Sequence, residues 1–119
     1  MKTFLIAFLF FFIYGISYLQ KPKNGRYTYA IAFNEWGGKS LDATCTVIIK
    51  GDSIKVVNDG KSNLSGGKGD IIDAGIILKH KTGKWIIGHN LKDKNAEEIG
   101  GCSDGPIVID FKRKKVWLC

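Results

Sequence analysis

Short runs of alternating apolar and polar residues, separated by glycine-containing turns, are the feature that most restricts how this chain can fold. Residues 26–36 contain the first such run, and one of its faces carries Tyr27, Tyr29, Ile31 and Phe33. A period of two that is rich in aromatic and branched side chains is typical of a β-strand with one buried face. Gly37 and Gly38 then interrupt the pattern, so the first strand is predicted to end there.

Six further segments carry strand patterns, and they are residues 44–50, 53–58, 71–81, 85–89, 107–111 and 115–118. Most connections are tight turns such as Gly51-Asp52, but residues 60–70 form a glycine-rich loop. Residues 90–106 are irregular, with a single helical turn predicted over residues 94–99. Short strands without a long helix predict an all-β fold, a small antiparallel meander of six to seven strands. It would form a closed or half-open barrel, because closure removes exposed strand edges, and a two-sheet sandwich is the alternative.

The interior of such a barrel is normally filled by side chains. The aromatic residues predicted to line it are Tyr27, Tyr29, Phe33, Trp36 and Trp85. Residues 71–81 are apolar at first and more polar later, which predicts a strand that leaves the core toward its end. A ligand cavity is the alternative use of the interior, since barrel mouths are recurrent pocket sites.

The N-terminal residues have the three regions of a signal peptide. Lys2 supplies a positive charge, and residues 4–16 supply an apolar run. Gly15 and Ser17 then provide the small residues that precede a cleavage point. We therefore predict a signal peptide over residues 1–17, a linker over residues 18–25 and a single β domain over residues 26–119. The protein would be secreted, or located in the periplasm or cell envelope, and an uncleaved N-terminal anchor is the alternative.

Three cysteines follow the leader, and in an oxidising compartment an odd number leaves one thiol outside any intramolecular bridge. A bridge between Cys102 and Cys119 would fasten the C-terminus. It would close a loop of about 17 residues, worth roughly 3 kcal/mol in the chain-entropy model. Cys45 lies in an apolar strand pattern and is predicted to be a reduced core residue, with a bridge to another chain as the alternative.

The chain carries a formal net charge of +7, and basic residues gather at two predicted turns. The members of these turns are Lys112, Arg113, Lys114 and Lys115 in one, and Lys79, Lys81 and Lys84 in the other. If both turns lie at the same end of the barrel, they form one positive patch beside Trp85 and Trp117. Cations with aromatic residues between them suit an acidic polymer. The alternative is that the charge simply keeps a small exported protein soluble.

Few residues could support catalysis or bind a metal ion. Cys102 follows two glycines, and His80 or His89 could act as a base, but a thiol enzyme needs its thiolate and base in contact. Asp73 and Asp110 interrupt apolar strands and are the carboxylates best suited to acid–base work. Two histidines are too few for a zinc site when the cysteines are oxidised. The sequence therefore predicts no catalytic residue, no metal and no cofactor.

These patterns together predict an exported, monomeric, non-enzymatic binding module. It would contact an acidic polymer, an envelope surface or a protein partner through its basic turns and tryptophans. No specific nucleic acid is predicted, and membrane contact is expected only if the leader stays attached. The alternatives are a small-ligand carrier that uses the barrel interior, and an enzyme with a site around Cys102 or Asp73. The sequence resembles no family closely enough for residue roles to be transferred.

Overall fold

The computed structural model describes residues 21–61, 64 and 66–119, so the predicted leader over residues 1–17 lies outside the described residues. Within them the chain forms a closed barrel of seven short strands, which confirms the predicted all-β fold class. The strands are β1 Gly25–Phe33, β2 Thr44–Lys50, β3 Ser53–Asn58, β4 Ile71–Lys79, β5 Trp85–Gly88, β6 Ile107–Asp110 and β7 Lys115–Leu118. The helices in this part of the chain are two short 3₁₀ turns, Asn34–Trp36 and Leu91–Asn95.

Each strand runs antiparallel to the one before it, whereas β1 and β7 close the barrel as a parallel pair. The parallel pair follows from the strand count, because the first and last strands of a seven-stranded meander run in the same direction. Its register places Ile31 opposite Val116 and Phe33 opposite Leu118. The two strands that would otherwise be edges therefore pair with each other, which removes a template for aggregation.

The barrel interior is filled by the alternate side chains of the strands. Its buried members are Tyr29, Ile31, Cys45, Val47, Ile49, Ile54, Val56, Ile77, Ile87, Ile109 and Val116. Pairing aligns them between strands, as where Tyr29 lies opposite Cys45. Burying an aliphatic or aromatic side chain of this size contributes about 1.5–3 kcal/mol, so this core is the main source of stability.

The meander gives the barrel two distinct ends. β1 begins at the end that we call proximal, and the turns β2–β3, β4–β5 and β6–β7 lie there as well. β1 finishes at the distal end, which carries the longer connections over residues 34–43, the described part of 59–70, and 89–106. Alternate turns share an end because two antiparallel strands separate them.

The longest connection folds back along the outside of the barrel toward the proximal end. The main-chain N–H of Lys81 donates to the carbonyl of Lys94 at 2.9 Å, and the Nε2 atom of His80 contacts the carbonyl of Ala96 at 2.7 Å. These bonds hold the connection against β4 and β5, so it covers an outer face of the sheet.

The helical turn of this connection lies earlier than predicted. Residues 94–99 were expected to be helical, but the 3₁₀ turn covers Leu91–Asn95. The side-chain oxygen of Asn90 accepts the N–H of Lys92 at 2.9 Å and so caps the turn at its first residues. The local cap, rather than hydrophobic periodicity, sets where the helix begins.

Trp36 was predicted to line the barrel interior, but it lies on the surface with 46% of its area exposed. The chain leaves β1 after Phe33 and turns, with Gly37 at a left-handed φ of 66°. The Trp36 ring then meets the ring of Phe33 edge to face, with 5.0 Å between centroids. The prediction that Trp36 lines the interior is wrong, because the alternation of buried and exposed side chains stops at Phe33, where this turn begins. Tyr27 and Trp85 are partly buried against the core, as expected of residues at the mouth of the barrel.

The prediction that residues 71–81 leave the core toward their end is also wrong. Ile71, at the start of β4, is 58% exposed, whereas Ile77 and Leu78 near its end are buried. The β3–β4 ladder has a register shift beside the first residues of β4. An irregularity of this kind bends a strand locally, which accounts for apolar residues that lie outside the core.

Candidate functional site

The two basic turns of the predicted patch lie at the same end of the barrel, the proximal one. The β4–β5 turn and the β6–β7 turn are separated by two antiparallel strands, β5 and β6. The residues that precede β1 reach this end too. There the ammonium group of Lys21 donates to the carbonyl of Gly51 at 2.9 Å and forms an ion pair with Asp52. Three turns and the start of the described chain therefore meet at one end.

Local hydrogen bonds hold both basic turns. In the β4–β5 turn, the carbonyl of His80 accepts the N–H of Gly83, and the N–H of His80 donates to the carbonyl of Lys84, both at 2.8 Å. In the β6–β7 turn, the Oδ1 atom of Asp110 accepts the N–H of Arg113 at 2.9 Å. Hydrogen bonds to the main chain fix these turns. Most of their basic side chains are exposed, whereas Lys79 lies over the Trp85 ring and Lys115 is half-buried.

The proximal end is strongly basic. The lysines and arginines at its strand ends and turns are Lys21, Lys23, Arg26, Lys50, Lys79, Lys81, Lys84, Lys112, Arg113, Lys114 and Lys115. In the described part of these strand ends and turns, the acidic residues are Asp52 and Asp110, and the returning connection adds Lys94 and Glu97 beside the β4–β5 turn. Both aspartates are engaged, Asp52 by Lys21 and Asp110 by the main chain of Arg113. A surface dominated by one sign of charge raises the local concentration of oppositely charged ligands.

His80 lies between the lysines of the β4–β5 turn but is buried. Its Nδ1 atom is 2.9 Å from the hydroxyl oxygen of Thr82, and its Nε2 atom is 2.7 Å from the carbonyl oxygen of Ala96. Both ring nitrogens are thus engaged within the protein. His80 therefore fastens the long connection to the turn and does not belong to the exposed patch.

A surface groove with a volume of about 540 Å³ lies beside β5, β6 and β7, and we call it the β5–β7 groove. Its proximal wall is formed by Lys84, Lys112 and Arg113. Its distal wall includes Gly100 and Gly101 of the long connection. The other residues on which our argument depends are Asn34, Trp85, Asp110, Phe111 and Trp117. The groove therefore combines cationic, aromatic and hydrogen-bonding groups.

The groove brings together part of the predicted binding set. The predicted residues that line it are Lys84, Trp85, Lys112, Arg113 and Trp117. The predicted residues at the proximal end but outside the groove lining are Lys79, Lys81, Lys114 and Lys115. The binding role of all nine residues stays a prediction.

The two tryptophans of this set have different environments, and both are half-buried. Trp85 contacts the ring of Phe111 edge to face, with 5.6 Å between centroids, and the ammonium nitrogen of Lys79 lies 4.6 Å from the Trp85 centroid. Trp117 lies opposite Ala32 in the β1–β7 pair and against Gly38, where an added Cβ would be 2.7 Å from the ring. Trp85 is thus already covered by a cation, whereas Trp117 contacts the main chain of a glycine.

Sequence reasoning missed several groups of the groove. Asn34 and Phe111 lie in predicted strand segments, and Gly100 and Gly101 lie in the irregular segment 90–106, but no charged or aromatic cluster in the sequence marks any of the four as a binding residue. Gly101 approaches Asn34 so closely that an added Cβ would lie 2.8 Å from the side-chain nitrogen. These residues meet only because the long connection returns to the barrel, which no local signal reveals.

The predicted bridge between Cys102 and Cys119 is confirmed, with 4.6 Å between the two Cα atoms. It ties the long connection to the end of β7, and so joins the segments that contribute Gly101 and Trp117 to the groove. A disulfide is compatible with an oxidising extracellular or periplasmic compartment. The remaining cysteine, Cys45, is buried and free, and burial raises the pKa of its thiol to about 12, with a further contribution from the Asp59 carboxylate.

A second cavity, of about 450 Å³, lies at the proximal mouth of the barrel. It is lined by Lys21, Lys23, Ile77 and Trp85, among others. Asp52 also lines this cavity and pairs with Lys21, so Lys23 supplies the positive charge that has no ion-pair partner in this lining, beside the apolar Ile77 and Trp85. Below the cavity, the buried side chains of the core occupy the barrel interior.

The groups considered for catalysis are dispersed. Asp73 and His89 do meet, with 2.8 Å between Oδ1 and Nε2, and Asp93 accepts the main-chain N–H of His89 at 2.7 Å. Cys102 forms the disulfide with Cys119 and therefore has no free thiol. Asp110 accepts the main-chain N–H of Arg113 and so stabilises the β6–β7 turn. The other groups considered for catalysis do not surround the Asp73–His89 pair.

Comparison with known proteins finds no family model, curated protein or solved structure that matches this chain. Within the described residues, no group of three or more His, Cys, Asp or Glu side chains could hold a metal ion. None of the helices in that same part of the chain has the length and hydrophobicity needed to span a membrane.

Proposed function

We propose that this protein is an exported binding module whose proximal end binds a linear acidic polymer. The observation that carries the proposal is the collection of basic residues from three turns and the N-terminal stretch at one end of the barrel. Neighbouring positive charges on a rigid scaffold match the repeated negative charges of such a polymer, and counterion release then favours binding.

The scaffold supports this proposal because the basic turns are fixed before a ligand arrives. The strands on either side of each turn belong to a closed barrel, and local hydrogen bonds hold the turns themselves. Little conformational entropy is lost in the main chain on binding, which favours affinity. The flexible lysine side chains can still adjust to the spacing of the polymer charges.

Export is part of the proposal. The leader-like residues 1–17 and the Cys102–Cys119 disulfide both suit an oxidising compartment outside the cytosol. Acidic polysaccharides of cell surfaces and envelopes occur there. The proposed polymer class and the proposed location are therefore consistent with each other.

The test is a titration of the protein with polygalacturonate, followed by intrinsic tryptophan fluorescence at several salt concentrations. We expect the logarithm of the affinity to fall linearly with the logarithm of the salt concentration. A triple variant, Lys84→Gln with Lys112→Gln and Arg113→Gln, should lose affinity by about tenfold or more at low salt. Affinity that is independent of salt would overturn the electrostatic proposal.

The matched control removes three positive charges from the distal loops. It combines Lys39→Gln, Lys61→Gln and Lys68→Gln, all at exposed positions. Its net charge equals that of the proximal variant, so the two differ only in where the charge was lost. We expect the control to retain affinity within about twofold. Equal losses in both variants would mean that net charge, and not the proximal end, governs binding.

A further inference from the structure

We infer that the β5–β7 groove is a subsite for a single uronic acid unit, a sugar that carries both hydroxyls and a carboxylate. The inference rests on the proposed function and assigns the class of polymer that the proximal end recognises. The β5–β7 groove has a volume of about 540 Å³, which falls within the range of about 300–1,000 Å³ that is usual for small-molecule sites. The groove is therefore large enough for a sugar unit of a longer chain.

The proximal wall of the groove provides the charge for the carboxylate. Lys84 comes from the β4–β5 turn, and Lys112 and Arg113 come from the β6–β7 turn. A guanidinium group binds a carboxylate through two parallel hydrogen bonds, so Arg113 can fix its orientation as well as neutralise it. An anionic group of the ligand would therefore bind at the proximal side of the groove.

Two hydrogen-bond acceptors favour a hydroxyl-bearing ligand. The groove also contains the carboxylate of Asp110 and the amide of Asn34. One Asp110 oxygen accepts the N–H of Arg113, but a carboxylate has capacity for about four hydrogen bonds and can accept further ones from sugar hydroxyls. A phosphodiester chain such as DNA has no hydroxyls along its backbone, so its backbone cannot donate such hydrogen bonds to Asp110 or Asn34. The groove therefore suits an acidic sugar better than a DNA strand.

Trp117 supplies an apolar surface for the sugar ring. Its ring contacts Gly38 and also lines the groove. Among the described residues, the close ring pairs are Tyr27–Tyr29, Phe33–Trp36 and Trp85–Phe111, so Trp117 is not engaged with another ring. An indole can cover the carbon–hydrogen face of a sugar while polar groups around it fix the orientation. With the cations on one side and Asp110 and Asn34 nearby, the groove has all three elements that such a ligand requires.

The test compares two probes that each carry four negative charges, tetragalacturonate and an oligothymidylate with four phosphodiester groups and no terminal phosphate. Affinities for both are measured by calorimetry at low salt, with the wild-type protein and with Asp110→Asn. The substitution keeps an acceptor for the N–H of Arg113 but removes the charge. Loss of a negative charge should strengthen the binding of both probes, whereas loss of a strong hydroxyl acceptor should weaken only the sugar. We expect the ratio of sugar to nucleotide affinity to fall about tenfold.

The matched control is Asp52→Asn, which removes an acidic charge of the proximal end that lies outside the groove. We expect it to leave the affinity ratio unchanged within about twofold. A wild-type protein that prefers the oligothymidylate, or an unchanged ratio in Asp110→Asn, would overturn the sugar subsite.

The outcomes separate this inference from the proposed function. If polygalacturonate binds with the expected salt dependence but the affinity ratio does not respond to Asp110→Asn, the proximal end binds acidic polymers without a sugar subsite. If neither polygalacturonate nor the two short probes bind at low salt, both proposals fail.

Discussion

The ammonium nitrogen of Lys79 lies 4.6 Å from the centroid of the Trp85 ring, while Phe111 meets the same ring edge to face. Lys79 is the last residue of β4, and Trp85, the first residue of β5, lies opposite it in the ladder. Of the basic residues predicted to bind a polymer, Lys79 is therefore already engaged with an aromatic ring. Its charge contributes to the fold at the mouth of the barrel as well as to the positive surface.

Replacing Lys79 by Gln should lower the free energy of unfolding by about 0.5–1 kcal/mol, because a cation–π contact at an accessible site is worth about that much. The measurement is the midpoint of urea unfolding. Lys81→Gln is the control, since Lys81 is an exposed lysine of the adjoining turn. We expect the control to change stability by less than about 0.5 kcal/mol. Equal effects would show that the contact with Trp85 contributes nothing to stability.

Loss of the disulfide should be costly for a barrel of this size. A double variant, Cys102→Ser with Cys119→Ser, frees a loop whose ends are 17 residues apart, so it should lose about 3 kcal/mol in the chain-entropy model. Urea unfolding with and without dithiothreitol measures the effect. The reductant should destabilise the wild type and leave the double variant unchanged. A Cys45→Ala variant should remain sensitive to the reductant, and loss of that sensitivity would contradict the assigned bridge.

Alkaline pH should weaken the barrel through two buried groups. Burial raises the pKa of Cys45 from 9.0 to about 12 and that of Tyr29 from 10.0 to about 12, with smaller contributions from nearby negative groups. Above pH 9 the unfolded chain releases these protons while the folded chain keeps them, so the free energy of unfolding falls as the pH rises toward 12. Each group contributes a slope of at most about 1.4 kcal/mol per pH unit.

Cys45→Ala tests this assignment. Urea unfolding of the variant should give a shallower loss of stability than the wild type between pH 9 and pH 12, because the thiol no longer titrates. Below pH 8 both proteins should show the same pH dependence. Identical alkaline slopes would mean that Cys45 is not responsible for the pH dependence.

Sequence analysis predicts both ends of a strand correctly where the strand alternates clearly and a well-marked turn follows it. β2 and β3 match their predicted ranges because Gly51, at a left-handed φ of 60°, ends the pattern between them. β7 also matches its predicted range, residues 115–118. β1 ends earlier than predicted, since the turn at Asn34–Trp36 depends on local main-chain bonds and not on side-chain period. The burial of β4 was misjudged because the β3–β4 register shift has no sequence signal that we recognised.

The sequence predicts the basic residues of the candidate site but not the shape of the β5–β7 groove. Once a meander is predicted, alternate turns must share an end, so the meeting of the β4–β5 and β6–β7 turns follows from the strand count. The distal wall of the groove depends instead on Gly101 and Asn34, which lie far apart in sequence. The return of the long connection and the bond from Cys102 to Cys119 bring that wall to the barrel. Contacts of this kind depend on tertiary structure and leave no local pattern.

The contact between Gly38 and Trp117 can be separated from ordinary backbone strain by comparing two neighbouring glycines. Gly37 and Gly38 have left-handed φ values of 66° and 88°. An added Cβ at Gly37 meets nothing within 4 Å, whereas at Gly38 it would lie 2.7 Å from the Trp117 ring. Gly37→Ala should therefore cost about 1–2 kcal/mol from the left-handed conformation alone. Gly38→Ala should cost at least about 1 kcal/mol more, as an overpacked site does, and should alter the near-ultraviolet circular dichroism of the tryptophans. Equal stabilities and spectra for the two variants would mean that the Trp117 ring moves aside freely and does not form a fixed surface of the β5–β7 groove.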